Sequence, residues 1–593
     1  DKCGDLGLLA ATMPPGQSRE RHVPTTLYRS QPKEEGGPRF ENVTRAAKLM
    51  RSGNAEDARI GGIGDTAGGV GCADYDRDGD LDIFWKNADP EVDNALFRND
   101  GNWTFTDVTA TAGAAVQGAL RESNAQGSPN WTDVDQDGWI DLLVTNEGDT
   151  KVLLRNRGDG SFEDITRSRR PPSGLPFLNP GQAQGACIAD FDNDGDMDVY
   201  LPLADQANRL IMSRLKERGA LVYEDVTQKS GAGDLGGARG CAVADFDNDG
   251  HVDLLAVDML PSDNKHRKTS ATTPNLSLYL STVQNGYSEQ IARNVLQRNN
   301  GNGTFSDIGC LAGIYKTHWS WSSLLFDMDN DGLRDMYITN GYRREISNRD
   351  FFDFHAAGIE TKYNGKWTKE AYKELYKLAK YVPSLKTRNN CYQNNGDWTF
   401  ADKAGDWMTV PASWSCGAAW ADLDNDGDLD LVINNFEDPS FVYQNLARDQ
   451  NKGNYLQLKI QGSAQNPQAV GASAAIYYGD KMQYLELNPV RGIFSSMENL
   501  LHFGLGQTQA LDKIVVRWPD GKTQTLTNIP ANQRLTLKYA NAAGYAAHIA
   551  PAPPAPQYFE EQKIAFDWSH EENIFNDFTN WLLNAWSLSD LGP

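Results

Sequence analysis

The sequence predicts an all-β fold: a seven-bladed β-propeller, six of whose blades are directly visible, followed by a small β-sandwich-like domain. Three observations predict it. A nine-residue acidic loop, Asp-x-Asp-x-Asp-Gly-x-x-Asp, is written six times, beginning at Asp74, Asp133, Asp190, Asp245, Asp327 and Asp422. A hairpin phrase recurs between the loops. From about Asn454 the acidic loop disappears and only alternating strands remain.

Each acidic loop runs into an apolar, β-rich stretch such as LDIFW, IDLLVTN or VDLLAVD. The hairpin phrase reads LFRNDGNWTFTDVT from Leu96, LLRNRGDGSFEDIT from Val152's neighbour Leu153, VLQRNNGNGTFSDI from Val295 and CYQNNGDWTFADK from Cys391. Asn-Gly and Asp-Gly pairs between two β runs mark tight turns. Degenerate copies, PRFENVT near Phe40 and LVYEDVT near Tyr223, extend the series. One repeat thus supplies about four short strands, which is a propeller blade. The loop starts are 59, 57, 55, 82 and 95 residues apart, so the last two intervals carry insertions, at about 261–294 and 342–390. WTKEAYKELYKLAKYV in the second insertion has the apolar spacing of one amphipathic helix.

The propeller is expected over residues 40–448, with residues 1–39 an N-terminal extension whose TTLYRS stretch contributes to the closing seventh blade. Strands such as YLQLKI, AAIYY, KIVVRW and LTLKY place the second all-β domain at 454–540. Residues 541–556 form an Ala/Pro linker, and 557–593 an aromatic-rich tail with Phe566, Trp568, Phe575, Phe578, Trp581 and Trp586. Such side chains are expected to be buried on this chain or on a neighbour.

Alternating carboxylates around a Gly at position six suit a hard cation that takes six to eight oxygens. Positions one, three, five and nine are the expected side-chain ligands, and position seven the expected carbonyl ligand. Around the ring these are Asp74, Asp76, Asp78, Asp80 and Asp82; Asp133, Asp135, Asp137, Trp139 and Asp141; and Asp190, Asp192, Asp194, Asp196 and Asp198. The second half holds Asp245, Asp247, Asp249, His251 and Asp253; Asp327, Asp329, Asp331, Leu333 and Asp335; and Asp422, Asp424, Asp426, Asp428 and Asp430. Position seven varies freely, as a residue giving only its carbonyl can. About six Ca²⁺ sites follow. EF-hands are excluded, because they need helices and a Glu at position twelve, where this chain has Trp85, Val144, Leu201, Ala256, Ile338 and Ile433.

The net charge of -24, from 80 acidic and 56 basic residues, argues against a nucleic-acid partner. Asp at the loops' odd positions accounts for 27 of those acids. No apolar run approaches the ~18–20 residues of a membrane span. The chain opens at Asp1, which reads as a processed mature form. Sequons at Asn42, Asn102, Asn130, Asn275 and Asn302 would suit a secreted glycoprotein. Cys72, Cys187, Cys241 and Cys416 precede acidic loops among small residues and read as buried thiols, while Cys310 and Cys391 lie in one repeat and are the candidate bridge.

These repeats resemble the FG-GAP/VCBS repeats of integrin-α-like propellers. NPQAVGASAAIYY, RGIFSSMENLLHFGLG, KIVVRWPDGK and IPANQRLTL resemble an ASPIC/UnbV domain. Together, and with WSWSSLLFDMDNDGLRDMYITNGYRRE, they look like the cartilage acidic protein family and its bacterial relatives. The resemblance implies the calcium ligands named above.

No HExxH, paired His cluster or nucleophile elbow points to catalysis, and His318 and His502 read as packed or hydrogen-bonded singles. No catalytic residue is assigned, and no cofactor besides Ca²⁺. The function expected is a secreted, non-catalytic structural or adhesive protein, extracellular or at the cell surface, with a protein or glycan ligand on its propeller loops. The tail suggests a homo-oligomer or filament. The rival is a glycan-binding module or carbohydrate-active enzyme, with Trp103, Trp131, Trp319, Trp321, Trp398 and Trp414 as candidate sugar platforms or as caps of the blade cores.

Overall fold

A computed structural model describes residues 7–10, 26–34, 37–44, 46–49, 67–87, 94–116, 127–146, 151–168, 171–173, 181–204, 206–234, 236–270, 280, 284, 292–345, 347–366, 368–378, 381–436 and 438–545. The aromatic tail, most of the linker and Asn275 lie outside the described residues.

The protein is an all-β propeller. Six antiparallel sheets each begin on an innermost strand: Ala67–Ala73, Pro129–Thr132, Cys187–Ala189, Gly240–Ala244, Ser320–Phe326 and Ser415–Ala421. In every one the acidic loop connects that strand to a second strand starting on the position-nine aspartate: Asp82–Asn87, Asp141–Val144, Asp198–Leu201, Asp253–Val257, Asp335–Asn340 and Asp430–Asn435. The hairpin phrases supply the third and fourth strands, as in Ala95–Asn99 with Phe105–Asp107. Five of these sheets have four strands and the sixth has three. Second strands are buried on both faces, since blades pack face to face. Apolar side chains interleave between them, for example Phe84 edge-on to Trp131 with ring centroids 6.3 Å apart.

A seventh sheet comes from the N-terminal residues Gly7–Ala10, Thr26–Glu34 and Gly37–Asn42. The degenerate phrase PRFENVT does there what the full phrases do elsewhere. Phe105 N–H donates to the Ala47 carbonyl at 3.0 Å, matching Phe162 to Ala112 at 2.8 Å and Phe400 to Ala312 at 3.1 Å. Leu27, Val43, Ala47 and Leu49 pack against Val70, Trp85 and Phe97 of the following blade.

Beyond the propeller, Asn454–Gln461, Leu501–Gly506 and Gln533–Lys538 form one sheet. Lys481–Glu486, Ser473–Tyr478, Ala510–Arg517, Lys522–Pro530 and Gly544–Tyr545 form the second. Leu456, Leu458, Ile476, Phe503, Ile514, Val516 and Trp518 are buried between them, giving the β-sandwich. Residues Asp1–Pro551 form one compact unit.

Three expectations are corrected. Cys187 and Cys241 form a disulfide with Cα atoms 6.0 Å apart, tying two neighbouring innermost strands; their common place before a loop puts them side by side on adjacent blades. Cys310 and Cys391 stay free, one exposed and one buried. Asn130 is fully buried, its amide donating to the Ser128 and Leu143 carbonyls, so it is no glycan acceptor. The expected helix of the second insertion is present at Lys369–Leu378, and a further one, Arg349–Lys362, precedes it. Asn348 caps the latter by accepting from Phe351 N–H at 2.9 Å. Only Ile359 of that helix is buried, so it lacks the apolar stripe that would reveal it.

Candidate metal centres on the acidic loops

The six loops share one backbone path. Position four adopts a left-handed conformation in each, at Arg77, Gln136, Asn193, Asn248, Asn330 and Asn425, with φ between 54° and 63°. Asn is the side chain that tolerates this best, and it occupies four of the six. Position six, also at positive φ, is Gly throughout.

The first-position carboxylate caps the turn by accepting from the Gly N–H, at 3.0 Å from Gly79 to Asp74 and 2.8 Å from Gly332 to Asp327. Position seven donates its N–H to position five, as from Trp139 to Asp137 at 2.8 Å, and this orients its carbonyl without using the side chain. Position nine latches the blade. Asp141 accepts from Val134 N–H at 3.0 Å through one oxygen and from Asn156 N–H at 2.8 Å through the other. The same pair of bonds recurs at Asp82, Asp198, Asp253, Asp335 and Asp430. Each of these oxygens keeps one lone pair for a cation.

A residue in the third strand, or the one just after it, holds position three. Arg155 reaches Asp135 at 2.6 Å, Arg214 reaches Asp192 at 2.9 Å and Arg298 reaches Asp247 at 2.6 Å. Gln393 and Gln444 do the same for Asp329 and Asp424, at 2.9 and 2.8 Å. Neighbouring loops are also chained together. The position-four side chain donates to the glycine carbonyl of the next loop, from Gln136 to Gly195, Asn193 to Gly250, Asn248 to Gly332 and Asn330 to Gly427. Neither the relay nor the strand-three partner was foreseen from sequence, although the recurrent Asn at position four carried the signal.

Each loop keeps at least one buried carboxylate oxygen without a hydrogen-bond partner: Oδ1 of Asp74, Asp133, Asp190, Asp247, Asp329 and Asp428. Asp74, Asp76 and Asp78 bring one oxygen each within 4.8 Å of one another, as do Asp133, Asp135 and Asp141, and Asp190, Asp192 and Asp194. Burial, and then the neighbouring carboxylates, push Asp74 up to about 6 and Asp133 up to about 7. Buried like charges with orphaned oxygens are unfavourable alone and are satisfied by a cation. The residues present fit Ca²⁺.

The loops lie under the β-sandwich. Gln457 donates to Asp422 at 2.8 Å, and Gln483 accepts from the buried Arg334 at 2.9 Å. Glu486 accepts from the Asp190 N–H at 3.3 Å, and Tyr455 closes over Gly427. From the same domain, residues 488–496 enter the middle of the propeller and meet the innermost strands. Asn488 donates to the Ile188 carbonyl at 2.7 Å, Phe494 N–H to Ser128 Oγ at 3.0 Å, and Cys72 N–H to Ser496 Oγ at 3.0 Å. Ile493 is fully buried beside Trp321 and Cys416.

The remaining sequence candidates divide. Trp131 and Trp321 are buried core residues, Trp319 stacks on Tyr342 with centroids 4.6 Å apart, and Trp398 is 43% exposed under Arg298. Trp414 donates to the Leu385 carbonyl at 3.1 Å, and Trp103 takes Arg29 over its ring. His502 is buried, but His318 is no isolated single: it lies with His266 against Asp263.

The arrangement is that of an FG-GAP-like repeat propeller whose acidic loops are roofed by a second β domain. A family model described as FG-GAP-like repeat matches residues 133–201 and 381–433, and one described as ASPIC and UnbV matches residues 462–544. The chain carries both. It is similar to cartilage acidic protein 1 of Mus musculus, 30% identical over 182 residues that make up 29% of this chain and 26% of that protein. The Homo sapiens protein of the same name is 29% identical over 182 residues, 29% of this chain and 25% of its own length. The match thus spans about a quarter of those relatives. Among solved structures, an Agrocybe aegerita lectin that recognises non-reducing terminal N-acetylglucosamine aligns with TM-score 0.32 and 16% identity, over 66% of this chain and 83% of its own. The V. cholerae biofilm matrix protein Bap1 aligns with TM-score 0.27 and 12% identity, over 78% and 67%.

Proposed function

We propose that the protein is a secreted, non-catalytic, calcium-pinned scaffold of structural or adhesive type, which presents its exposed propeller edges to a protein or glycan partner. One observation carries the reading: each of six equivalent loops keeps an orphaned buried carboxylate oxygen, and in the first three the carboxylate oxygens converge within 4.8 Å of one another. Calcium there is structural, since it would neutralise the loops and fix the interface above them. Positions one, three, five and nine would hold it through carboxylates and position seven through its carbonyl; the ion supplies positive charge that the chain lacks there. The Cys187–Cys241 disulfide suits an oxidising compartment.

Metal analysis of the calcium-equilibrated protein is expected to give about six Ca²⁺ per chain, with a melting temperature that falls on chelation. A chelator-independent melting temperature would overturn the reading. Linkage makes each site worth about 2.7 kcal/mol at a hundredfold excess over its Kd. We further propose that the aromatic residues after Gln557 make the contact to a second copy. Deleting the residues after Pro556 should leave a folded monomer, and continued assembly of that form would refute the tail's role.

A further inference from the structure

The two insertions bring together a set of side chains that the acidic loops do not use. Asp263 opens the short helix Asn264–Thr269 in the first insertion. His266 lies one turn on, His318 stands two residues before the innermost strand Ser320–Phe326, and Glu345 belongs to the second insertion. The His266 N–H donates to Asp263 Oδ1 at 3.0 Å, which turns Oδ2 toward the two rings. That oxygen lies 2.6 Å from His266 Nδ1 and 3.2 Å from His318 Nε2. Glu345 Oε1 lies 3.9 Å from the far nitrogen of His266, Nε2.

We propose that Asp263 Oδ2, His266 Nδ1 and His318 Nε2 form a binding site for one divalent transition-metal ion of the zinc class, with Glu345 as the outer partner of His266. Three ligand atoms within 4.8 Å of one another already approach the required spacing. Tetrahedral donors about 2.0–2.1 Å from zinc stand roughly 3.3 Å apart. The closer pair therefore needs to open by well under 1 Å. A ligating imidazole characteristically presents its other N–H to a carboxylate, which sets tautomer and ring orientation; Glu345, 3.9 Å from that nitrogen, would close by about 1 Å to take that place. Three protein ligands leave a fourth position free. Both histidines line a cavity of about 500 Å³, together with Asn390, Tyr392 and Lys316.

One further feature favours an ion here over a bare hydrogen-bonded triad. His318 sits at φ 76°, a left-handed backbone unusual for a residue with a Cβ, held by its N–H bond to the Leu260 carbonyl at 2.9 Å. Imidazole selects zinc-class ions, whereas Ca²⁺ takes oxygen donors, so excess calcium would fill the loops and leave this site open.

The test is a Co²⁺ titration of the full chain in excess Ca²⁺, followed by visible d–d absorption and metal analysis. One equivalent of Co²⁺ with a tetrahedral-type band, displaced by Zn²⁺, is expected. His318→Asn keeps a residue that tolerates the left-handed backbone and should abolish the band; His266→Gln, on a surface helix, should abolish it too. Glu345→Gln should weaken binding about 10–100-fold. All three should retain the wild-type calcium content. Absence of Co²⁺ uptake in the wild type, or undiminished uptake in His266→Gln, would overturn the proposal while leaving the calcium scaffold untouched.

Discussion

His502 Nε2 lies 2.7 Å from Oδ1 of Asn330, a residue 172 positions earlier in the chain. The same Asn330 donates through its Nδ2 to the Gly427 carbonyl at 3.2 Å. One amide thus joins the fifth acidic loop to the sixth and to the domain above. Because the Asn oxygen accepts, the His502 proton must be on Nε2.

Replacing Asn330 tests this junction. Asn330→Gly keeps the left-handed backbone, which glycine adopts freely, and removes the side chain with its hydrogen bonds. Leaving His502 buried without its partner should destabilise the protein by about 1–3 kcal/mol. Equilibrium denaturation in saturating calcium reads the change. A variant as stable as wild type would remove the junction from the stabilising contacts.

His502 also predicts a pH dependence. Burial, and then Arg334 and Arg534, lower its pKa from the ordinary 6.5 to about 3. The unfolded chain therefore binds this proton at a higher pH than the folded one. The contribution is fully present above pH 6.5 and is lost as the pH falls from there toward 3, by at most about 1.4 kcal/mol per pH unit. His502→Gln keeps a donor for Asn330 and removes the titration. Its stability, measured between pH 7.5 and 5 in calcium, should fall less steeply than that of the wild type.

Asp133 should change sign with the metal. Its carboxyl is pushed up to about 7 by burial and then by Asp137 and Asp135. A carboxylate raised in this way contributes stability below its unfolded pKa and loses it as the pH rises through 7. At pH 8 in chelator, Asp133→Asn should accordingly raise stability by about 1–3 kcal/mol, since the Asn oxygen can still accept from Gly138 N–H. In calcium the same variant should be less stable than wild type and bind one ion fewer. Thermal melts with and without Ca²⁺ give both signs.

The Cys187–Cys241 bridge closes a segment with a sequence separation of 54. Replacing both cysteines by Ala should cost about 2–4 kcal/mol, with the loops' calcium content unchanged. Thiol titration of the native protein should find the bridge closed.

Much of the blade architecture was legible in the sequence, because it is local. The acidic loop fixes a turn within nine residues, and the Asn-Gly phrases fix a hairpin within fourteen or so. The contacts that were not legible join distant residues. Cys187 reaches Cys241 only after adjacent blades are stacked, and residues 488–496 reach strands made hundreds of positions earlier. His266, His318 and Glu345 meet because the two insertions leave corresponding connections, between second and third strands, of adjacent blades, which spacing along the chain does not express. The helix Arg349–Lys362 escaped for a different reason: with one buried residue, it carries no periodic apolar face.

The segment that fills the middle of the propeller has a consequence in time. Ser496 receives its bond from Cys72 across 424 residues. A chain made at about 5–20 residues per second must wait roughly 20–85 s after Cys72 emerges before Ser496 exists. Until then Cys72 N–H, the Ile188 carbonyl and Ser128 Oγ lack the partners that residues 488–496 give them in the complete fold. The β-sandwich, synthesised after the blades, carries the axle on which they are mounted, so early termination anywhere before Ser496 would leave the ring without its axle, however complete the blades.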